Sequence, residues 1–476
     1  MLYYKLVEAH LKDARIAVSD GKQEYTFLQL HKRVRSCAAY LRSRGLLKGE
    51  RVLLADLEPL ETVVLLLACI SEGYIFVPVG KQMTWEEREE IINSCSPTLV
   101  ISGRTDFEKA IVETEVVERR NRLPEDTPVY IIYTSGTEGR LKGVCGSQKQ
   151  ILFCSEAINR RLGNHENDRI LCSLPLSFDY GLYQVFLALL SGARLYLHAG
   201  DVLQSIPYVL REWKITGFPT LPSAAGLLVR AGLLDNVESL CLRYITFTGE
   251  VLPVSLIQNL RKAMPDTAVI PMYGMTECKR AAVMPPERED KIMAGSCGLP
   301  LEGVRVWLKD KDVQSGIGEL VVEGPNVMEG YWGISDEDSG IFSVNEETGE
   351  RRIYTGDLFR IDEEGFLYFY GRRNSLLKIR GYRISSQWIE NCVRKAPGVI
   401  EAAVCGVPDR VTGERAVIFV YAVDEAVREE VLQNVRVMPS YLWNTRVFLF
   451  LSPLPRNGNG KIDVKRLRLL AEEKKL

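Results

Sequence analysis

A run of small hydroxyl residues, glycines and a single lysine occupies residues 133–144, and Lys142 is its cation beside Gly143. Backbone N–H groups in such a run can surround a polyphosphate, and a lysine adds positive charge to that contact. The run does not match the P-loop of nucleotide hydrolases, because Lys142 precedes the glycine and no hydroxyl residue follows it. Glycine and serine clusters are also typical of flexible surface turns, so composition alone leaves a phosphate-binding loop and a turn as alternatives.

Three clusters further along the chain carry groups that complement a nucleotide. Thr276 and Glu277 follow a glycine, and a carboxylate there could hold Mg²⁺ against phosphate oxygens. Asp357 also follows a glycine and could accept hydrogen bonds from both hydroxyls of a ribose. Lys461 lies in a glycine-bracketed segment, from which its ammonium could neutralise a carboxylate and a phosphate together. Taken singly, each has an ordinary alternative, namely a capped turn, an Asx turn and a solvated surface charge.

The elements that must position these clusters follow from the apolar pattern. Strand-like runs at residues 98–101, 129–133, 170–172 and 244–247 alternate with helix-like runs at 182–190 and 256–263. This alternation predicts an α/β fold with parallel-rich sheets in several layers. Near residue 340 the composition changes to Glu, Asp and Gly and then to short alternating strands. We therefore predict a large N-terminal domain over 1–370 and a small α+β domain over 371–476.

Composition narrows the class of protein. Sixty Lys and Arg against 62 Asp and Glu give a formal charge of −2, which does not favour nucleic acid or an anionic membrane as a partner. The chain has 11 cysteines and no CxxC pair, so a complete set of intrachain disulfides is impossible and a reducing cytoplasm is expected. The four histidines show no zinc-ligand spacing, and no run has the length and composition of a signal peptide or a membrane span.

Together and in this order, the clusters resemble the AMP-forming, adenylate-forming superfamily. It includes acyl- and aryl-CoA synthetases, adenylation domains of nonribosomal peptide synthetases, and firefly luciferase. The matching stretches are residues 133–144, Tyr-Gly-Met-Thr-Glu at 273–277, Tyr-Thr-Gly-Asp at 354–357, Gly-Arg at 371–372, Lys-Ile-Arg-Gly at 378–381 and Asn-Gly-Lys at 459–461. The resemblance covers residues 25–463 and implies a small C-terminal domain that is mobile.

The resemblance implies a role for each matching residue. The ATP-binding residues would be Thr134, Ser135, Gly136, Thr137, Gly139, Gly249, Glu250, Tyr273, Asp357 and Arg372. The catalytic residues would be Lys461, Glu277, Thr276 and Lys142, with Glu277 as the Mg²⁺ ligand. A carboxylate oxygen would attack the α-phosphorus of ATP, and pyrophosphate would leave. The small domain would then rotate and bring Lys378 and Gly381 to the site, where a thiol attacks the acyl adenylate.

Four positions depart from the family pattern. Glu138 stands where the family has Thr, Leu141 where it has Pro, Asn374 where it has Asp, and Gln148 where it often has His. Glu138 adds a negative charge close to the expected pyrophosphate. We expect these departures to affect kinetics more than the type of reaction.

The pocket for the acid is expected to involve Phe178, Asp179, Tyr183, Thr248 and Met272. An aspartate at this position of peptide-synthetase adenylation domains pairs with the substrate α-ammonium, which favours an amino acid here. The alternatives are that Asp179 caps a helix beginning near residue 182, and that the substrate is a simple acyl or aryl acid.

Lys279 and Arg280 follow the Glu277 cluster. They could bind a second acidic group, although such residues are more often surface charges.

The thiol acceptor is expected to be the phosphopantetheine of a separate carrier protein, with coenzyme A as the alternative. A luciferase-like oxygenase and a non-catalytic nucleotide binder remain as more distant alternatives.

Overall fold

The computed structural model describes residues 1–103, 107, 122–135, 140–199, 202–234, 241–373, 376–380, 382–456 and 462–473. The chain forms two compact units. The larger consists of Met1–Val306, Val321–Tyr354 and Glu363–Leu367, and the smaller consists of Trp307–Leu320, Thr355–Asp362 and Tyr368–Leu476. The predicted mixed α/β fold, with a large N-terminal and a smaller C-terminal part, is confirmed. The division at residue 371 stays a prediction.

The helices of the described residues have these bounds: Leu2–Leu6, Phe27–Ser43, Pro59–Glu72, Trp85–Cys95, Gln148–Leu162, Asp179–Ser191, Val202–Glu212, Pro222–Arg230, Val254–Ala263, Glu289–Met293, Asp336–Ser339, Ser386–Val393, Val427–Arg436 and Val464–Glu473. Their ends follow the local sequence. Pro59–Glu72, for example, begins with proline at its first position and ends at Gly73, whose φ of 81° is left-handed.

The strands of the same part of the chain are β1 (Ile16–Ser19), β2 (Glu24–Thr26), β3 (Arg51–Ala55), β4 (Ile75–Val79), β5 (Leu99–Ser102), β6 (Pro128–Ser135), β7 (Leu141–Ser147), β8 (Arg169–Cys172), β9 (Arg194–Leu197), β10 (Gly217–Thr220), β11 (Tyr244–Phe247), β12 (Ala268–Tyr273), β13 (Ala282–Val283), β14 (Leu299–Pro300), β15 (Arg305–Lys309), β16 (Gly318–Glu323), β17 (Gly330–Tyr331), β18 (Phe342–Val344), β19 (Arg351–Ile361), β20 (Leu367–Arg372), β21 (Leu376–Ile379), β22 (Tyr382–Ser385), β23 (Val399–Asp409), β24 (Gly413–Ala422) and β25 (Arg446–Phe450).

Two sheets lie wholly within the larger unit. One has nine strands in the order β14-β13-β12-β11-β10-β8-β9-β1-β2, and the other has six in the order β17-β7-β6-β4-β3-β5. The run β12-β11-β10-β8-β9-β1 of the first sheet is parallel, and so are the pairs β5-β3, β3-β4 and β4-β6 of the second. Parallel strands need helical crossovers on their faces, which explains the alternation seen in the sequence.

The smaller unit contains a sheet of different construction. Its order is β22-β21-β24-β23, with β25 paired to β24, and only the β24-β25 pair is parallel. Helices Ser386–Val393 and Val427–Arg436 bury Ile389 and Val431 in a core with Ile418 of β24. This is the α+β composition predicted for the C-terminal part.

The strands and helices predicted from the sequence lie within a few residues of observed ones. The strand predicted at 244–247 is β11, and the helix predicted at 182–190 is Asp179–Ser191, which begins three residues earlier. All 11 cysteines are free thiols. In the described part of the chain, no helix combines the length and apolar composition needed to cross a bilayer.

Candidate active site

The described parts of the glycine-rich run lie in two paired strands, residues 133–135 in β6 and residues 141–144 in β7. Strands β6 and β7 are antiparallel, with Thr134 opposite Lys142 and Ser135 opposite Leu141. Gly143 allows close packing inside this hairpin, because a Cβ atom there would lie 2.6 Å from Ile131 Cγ2. The predicted phosphate-binding residues Gly136, Thr137 and Gly139 lie outside the described residues, as does Glu138.

Leu141 makes a contact that the proline of the family pattern could not make. Its backbone N–H donates a hydrogen bond to Glu90 Oε1 at 3.0 Å, whereas proline has no N–H to donate. The departure at this position therefore ties the hairpin to helix Trp85–Cys95.

The carboxyl ends of β8, β10, β11 and β12 meet at one edge of the nine-stranded sheet, because these strands are parallel. Clefts at this edge are the usual ligand sites of parallel α/β sheets. Gly249 and Glu250 follow β11, and the Glu250 carboxylate accepts hydrogen bonds from the backbone N–H and the hydroxyl of Ser223. Tyr273 is the last residue of β12, and Thr276 and Glu277 follow it. The sheet thus brings these predicted ATP-binding residues to the same edge.

Glu277 is a buried carboxylate with a specific partner. The residue is 7% exposed, and the Tyr331 hydroxyl donates to Glu277 Oε1 at 2.7 Å. Burial raises the pKa of the Glu277 carboxyl above its ordinary value, and the hydrogen bond from Tyr331 opposes that shift. A hard carboxylate whose ionised form is favoured by this hydrogen bond is a suitable ligand for Mg²⁺ together with phosphate oxygens.

Tyr331 also links the carboxylate to the hairpin. It lies in β17, opposite Val144 of β7, and Lys142 Nζ is 5.2 Å from the centroid of its ring. Tyr331 was missed by the sequence analysis, since it lies 54 residues from Glu277 and its local sequence does not distinguish it.

A small pocket opens beside the same strand ends. It is lined by Ile158, Leu162, Tyr180, Tyr183, Gln184, Leu187, Thr246, Met272, Lys279 and Arg280. Two of the predicted pocket residues, Tyr183 and Met272, are in this lining. Phe178 is the N-cap of helix Asp179–Ser191, and Thr248 is buried after β11.

Asp179 is held next to this pocket by an ion pair. Its Oδ2 lies 3.6 Å from Arg280 Nη1, and both residues are buried. The alternative that Asp179 caps a helix starting near residue 182 is wrong. The helix begins at Asp179 itself, and the N-cap residue Phe178 makes no side-chain hydrogen bond.

Lys279 and Arg280 are not surface charges, so that alternative is also wrong. They are 1% and 5% exposed. Lys279 Nζ lies 4.9 Å from the ring centroids of both Tyr130 and Tyr183. Burial lowers the pKa of Lys279 to about 8, although the neighbouring Asp179 opposes that shift.

Gln148 does not point to the candidate site. Its side chain accepts a hydrogen bond from the backbone N–H of Leu2 at 3.0 Å and donates to the Pro124 carbonyl at 3.2 Å. Its role in this structure is to anchor the N-terminal segment.

The smaller unit carries the other predicted residues. Asp357 is buried, and its Oδ1 lies 3.2 Å from Arg372 Nε, so the two predicted ribose-binding residues are adjacent. Lys378 lies in β21 opposite Arg383 of β22, and its side chain is exposed. Gly381, Asn374 and Lys461 lie outside the described residues.

Comparison with known proteins gives a consistent result. The family model for AMP-binding enzymes matches residues 7–332, and that for the AMP-binding enzyme C-terminal domain matches residues 388–461. The chain is 29% identical to 2-succinylbenzoate–CoA ligase of Bacillus licheniformis, with 95% of this chain and 96% of that protein covered. It is 28% identical to the L-proline–[L-prolyl-carrier protein] ligase of Pseudomonas fluorescens, with 94% of each protein covered.

A solved structure has the same fold. O-succinylbenzoate coenzyme A synthetase from Bacillus subtilis, in complex with ATP and magnesium ion, superposes with a TM-score of 0.84 at 24% identity. The match covers 98% of this chain and 99% of that one.

Proposed function

We propose that this chain, which belongs to the AMP-binding enzyme family and is an AMP-forming ligase that activates an acid as its adenylate, uses ATP and Mg²⁺ to load an amino acid onto a carrier protein. The observation that carries this proposal is the hydrogen-bonded pair of Glu277 and Tyr331, with Lys142 beside the Tyr331 ring. The pocket lined by Arg280, with Asp179 next to it, lies at the same edge of the sheet. A carboxylate for the metal, a cation for phosphate and a pocket for the acid are the parts that acid adenylation requires.

The first half-reaction joins two anions, the acid and ATP. Mg²⁺, when bound, would neutralise phosphate charge as a Lewis acid. Tyr331 keeps the Glu277 carboxylate oriented and favours its ionised form. Lys142 adds positive charge on the β7 side of Tyr331. Asp357 and Arg372 are assigned to the ribose, and Lys461 to the carboxylate and the α-phosphate, on the basis of the family motifs.

An amino acid is favoured by Asp179, a buried carboxylate next to the pocket that can accept hydrogen bonds from an α-ammonium. A simple acyl or aryl acid is the second candidate. It is supported by the relative named for 2-succinylbenzoate, which contains no amine.

The acceptor is proposed to be a phosphopantetheine thiol, with coenzyme A as the second candidate. Both classes occur among the relatives, one named for a prolyl carrier protein and one for coenzyme A. Gly381 would allow the pantetheine arm to pass close to the backbone.

The test measures thioester formation from a radiolabelled acid, ATP and either holo carrier proteins or coenzyme A. We expect the label on carrier protein, and we expect Gly381→Trp to abolish transfer while adenylate formation continues. Faster transfer to coenzyme A would refute the carrier assignment. An oxygenase would release light or oxidised product and would not depend on Gly381.

A further inference from the structure

Lys279 presents an unusual group to the acid pocket. Its ammonium is buried and has no hydrogen-bond partner in the part of the chain that the structure describes, yet the residue lines the pocket. Removing an ammonium from water without an anionic partner costs several kcal/mol, so such a group is rare in protein interiors unless a ligand completes it. The rings of Tyr130 and Tyr183 offset part of this cost by cation–π contact. They do not accept the directional hydrogen bonds of three N–H donors.

The backbone at Lys279 is also costly. Its φ is 55°, in the left-handed region that glycine and asparagine adopt more easily than lysine. Gly274 makes room for this turn, because a Cβ atom there would lie 1.6 Å from the Lys279 carbonyl oxygen. The turn therefore holds a lysine, at a conformational cost, in the pocket wall.

The two cations of the pocket lining differ in their partners. Lys279 and Arg280 are cations of the lining, and Asp179 is the anion paired with Arg280 at 3.6 Å. The Glu277 carboxylate, which also acts on Lys279, is already hydrogen-bonded by Tyr331. The carboxylate of the acid that reacts with ATP must remain accessible to the α-phosphorus. The Lys279 ammonium, which has no hydrogen-bond acceptor among the described residues, thus suits another anionic group on the same substrate.

We propose that Lys279 and Arg280 select a carboxylic acid that carries a second carboxylate, so that the substrate is a dicarboxylate or an acidic amino acid. This inference rests on the proposed function, because it requires that the pocket bind the acid. Asp179 would accept the ammonium of an acidic amino acid, and a dicarboxylate without an amine would leave it paired with Arg280.

The experiment compares acids that differ only by replacing the second carboxylate with an amide. The pairs are aspartate with asparagine, glutamate with glutamine, and succinate with succinamate, each in acid-dependent ATP–pyrophosphate exchange. We expect the acidic member of at least one pair to exceed its amide by about tenfold or more in kcat/KM, as for one hydrogen bond to a charged group. The amine-bearing pairs, compared with succinate, show whether Asp179 is used.

Variants separate recognition from a structural role. Lys279→Met should lower kcat/KM for the acidic member by about tenfold or more and leave the amide within about threefold, because it keeps the apolar stem. Arg280→Gln should reduce the same preference. Lys149→Met, which removes an exposed lysine from helix Gln148–Leu162, is the matched control and should leave the preference unchanged.

Two outcomes overturn the inference alone, and a third refutes the function on which it rests. One is exchange that is fastest with acids that have no second carboxylate, which would leave the proposed function in place. Another is an equal loss for both members of a pair in Lys279→Met together with a lower melting temperature, which would show a packing role only. Failure of every acid to support exchange or to raise the melting temperature of the wild-type protein would instead refute the proposed function itself.

Discussion

Replacing Tyr331 with phenylalanine tests the pair at the centre of the candidate site. The change removes one hydroxyl, which donates to Glu277 Oε1 at 2.7 Å, and keeps the ring beside Lys142. The carboxylate would remain buried without this donor. We expect weaker Mg²⁺-dependent adenylation with little change in the fold.

The size of the effect follows from the contact. A hydrogen bond to a charged group contributes about 1.5–3 kcal/mol. Since about 1.4 kcal/mol corresponds to a factor of ten, the loss is about 10- to 150-fold. Burial already raises the pKa of Glu277, and the Tyr331 hydroxyl lowers it. Without the hydroxyl the pKa rises further, so protonation competes with Mg²⁺ at higher pH.

The assay is ATP–pyrophosphate exchange as a function of Mg²⁺ concentration and of pH. Tyr331→Phe should raise the Mg²⁺ concentration for half-maximal exchange and move the acidic limb of the pH profile upward. Tyr244→Phe is the matched control, because it removes another buried tyrosine hydroxyl, which donates to Asn164 Oδ1 at 2.7 Å. A double-mutant cycle with Glu277→Gln isolates the pair.

The reasoning is refuted if Tyr331→Phe has the Mg²⁺ dependence and the acidic limb of the wild-type enzyme. It is also refuted if Tyr244→Phe changes both to the same extent, since the effect would then be one of general destabilisation.

Other predictions concern neighbouring residues. Gly274→Ala should destabilise the fold by about 1–3 kcal/mol and abolish exchange, because its Cβ would lie 1.6 Å from the Lys279 carbonyl oxygen. Gly226→Ala is the control, since its Cβ would have its nearest contact at 3.5 Å. It should change neither the stability in denaturation nor the exchange rate. Glu277→Gln should abolish exchange yet raise the melting temperature at about pH 8. The folded protein holds the Glu277 proton more tightly than the unfolded chain, so the stability of the wild-type protein falls as pH rises through the raised pKa of Glu277. The gain in melting temperature of Glu277→Gln should therefore vanish as the pH is lowered towards 4.5, the ordinary pKa of a glutamate. A lower melting temperature of the variant at about pH 8 would contradict this. Asp357→Ala should raise the KM for ATP by about tenfold with a smaller change in the KM for the acid, and an unchanged KM for ATP would remove Asp357 from the nucleotide site.

Local patterns were sufficient to predict the scaffold. The apolar run at 244–247 and the helix around Leu182 depend on residues close together in sequence, so periodicity located β11 and helix Asp179–Ser191. The start of that helix was misplaced because the first turn is fixed by tertiary contacts, including the Asp179–Arg280 pair, rather than by a side-chain cap.

Contacts between distant residues could not be predicted in the same way. Tyr331 reaches Glu277 only because β17 pairs with β7 at the edge of the second sheet. Lys279 has the composition of a surface residue, and its burial depends on Tyr130 and Tyr183 from two other elements. Neither arrangement has a signal within a short stretch of the chain.

Acid-dependent ATP–pyrophosphate exchange, measured on the wild-type protein beside Lys461→Ala, tests the central claim most directly. The account predicts exchange that requires both an acid and Mg²⁺ and that falls by about 100-fold or more in the variant. The account would be contradicted if none of the acids supported exchange, or if Lys461→Ala and the wild-type protein showed equal exchange rates.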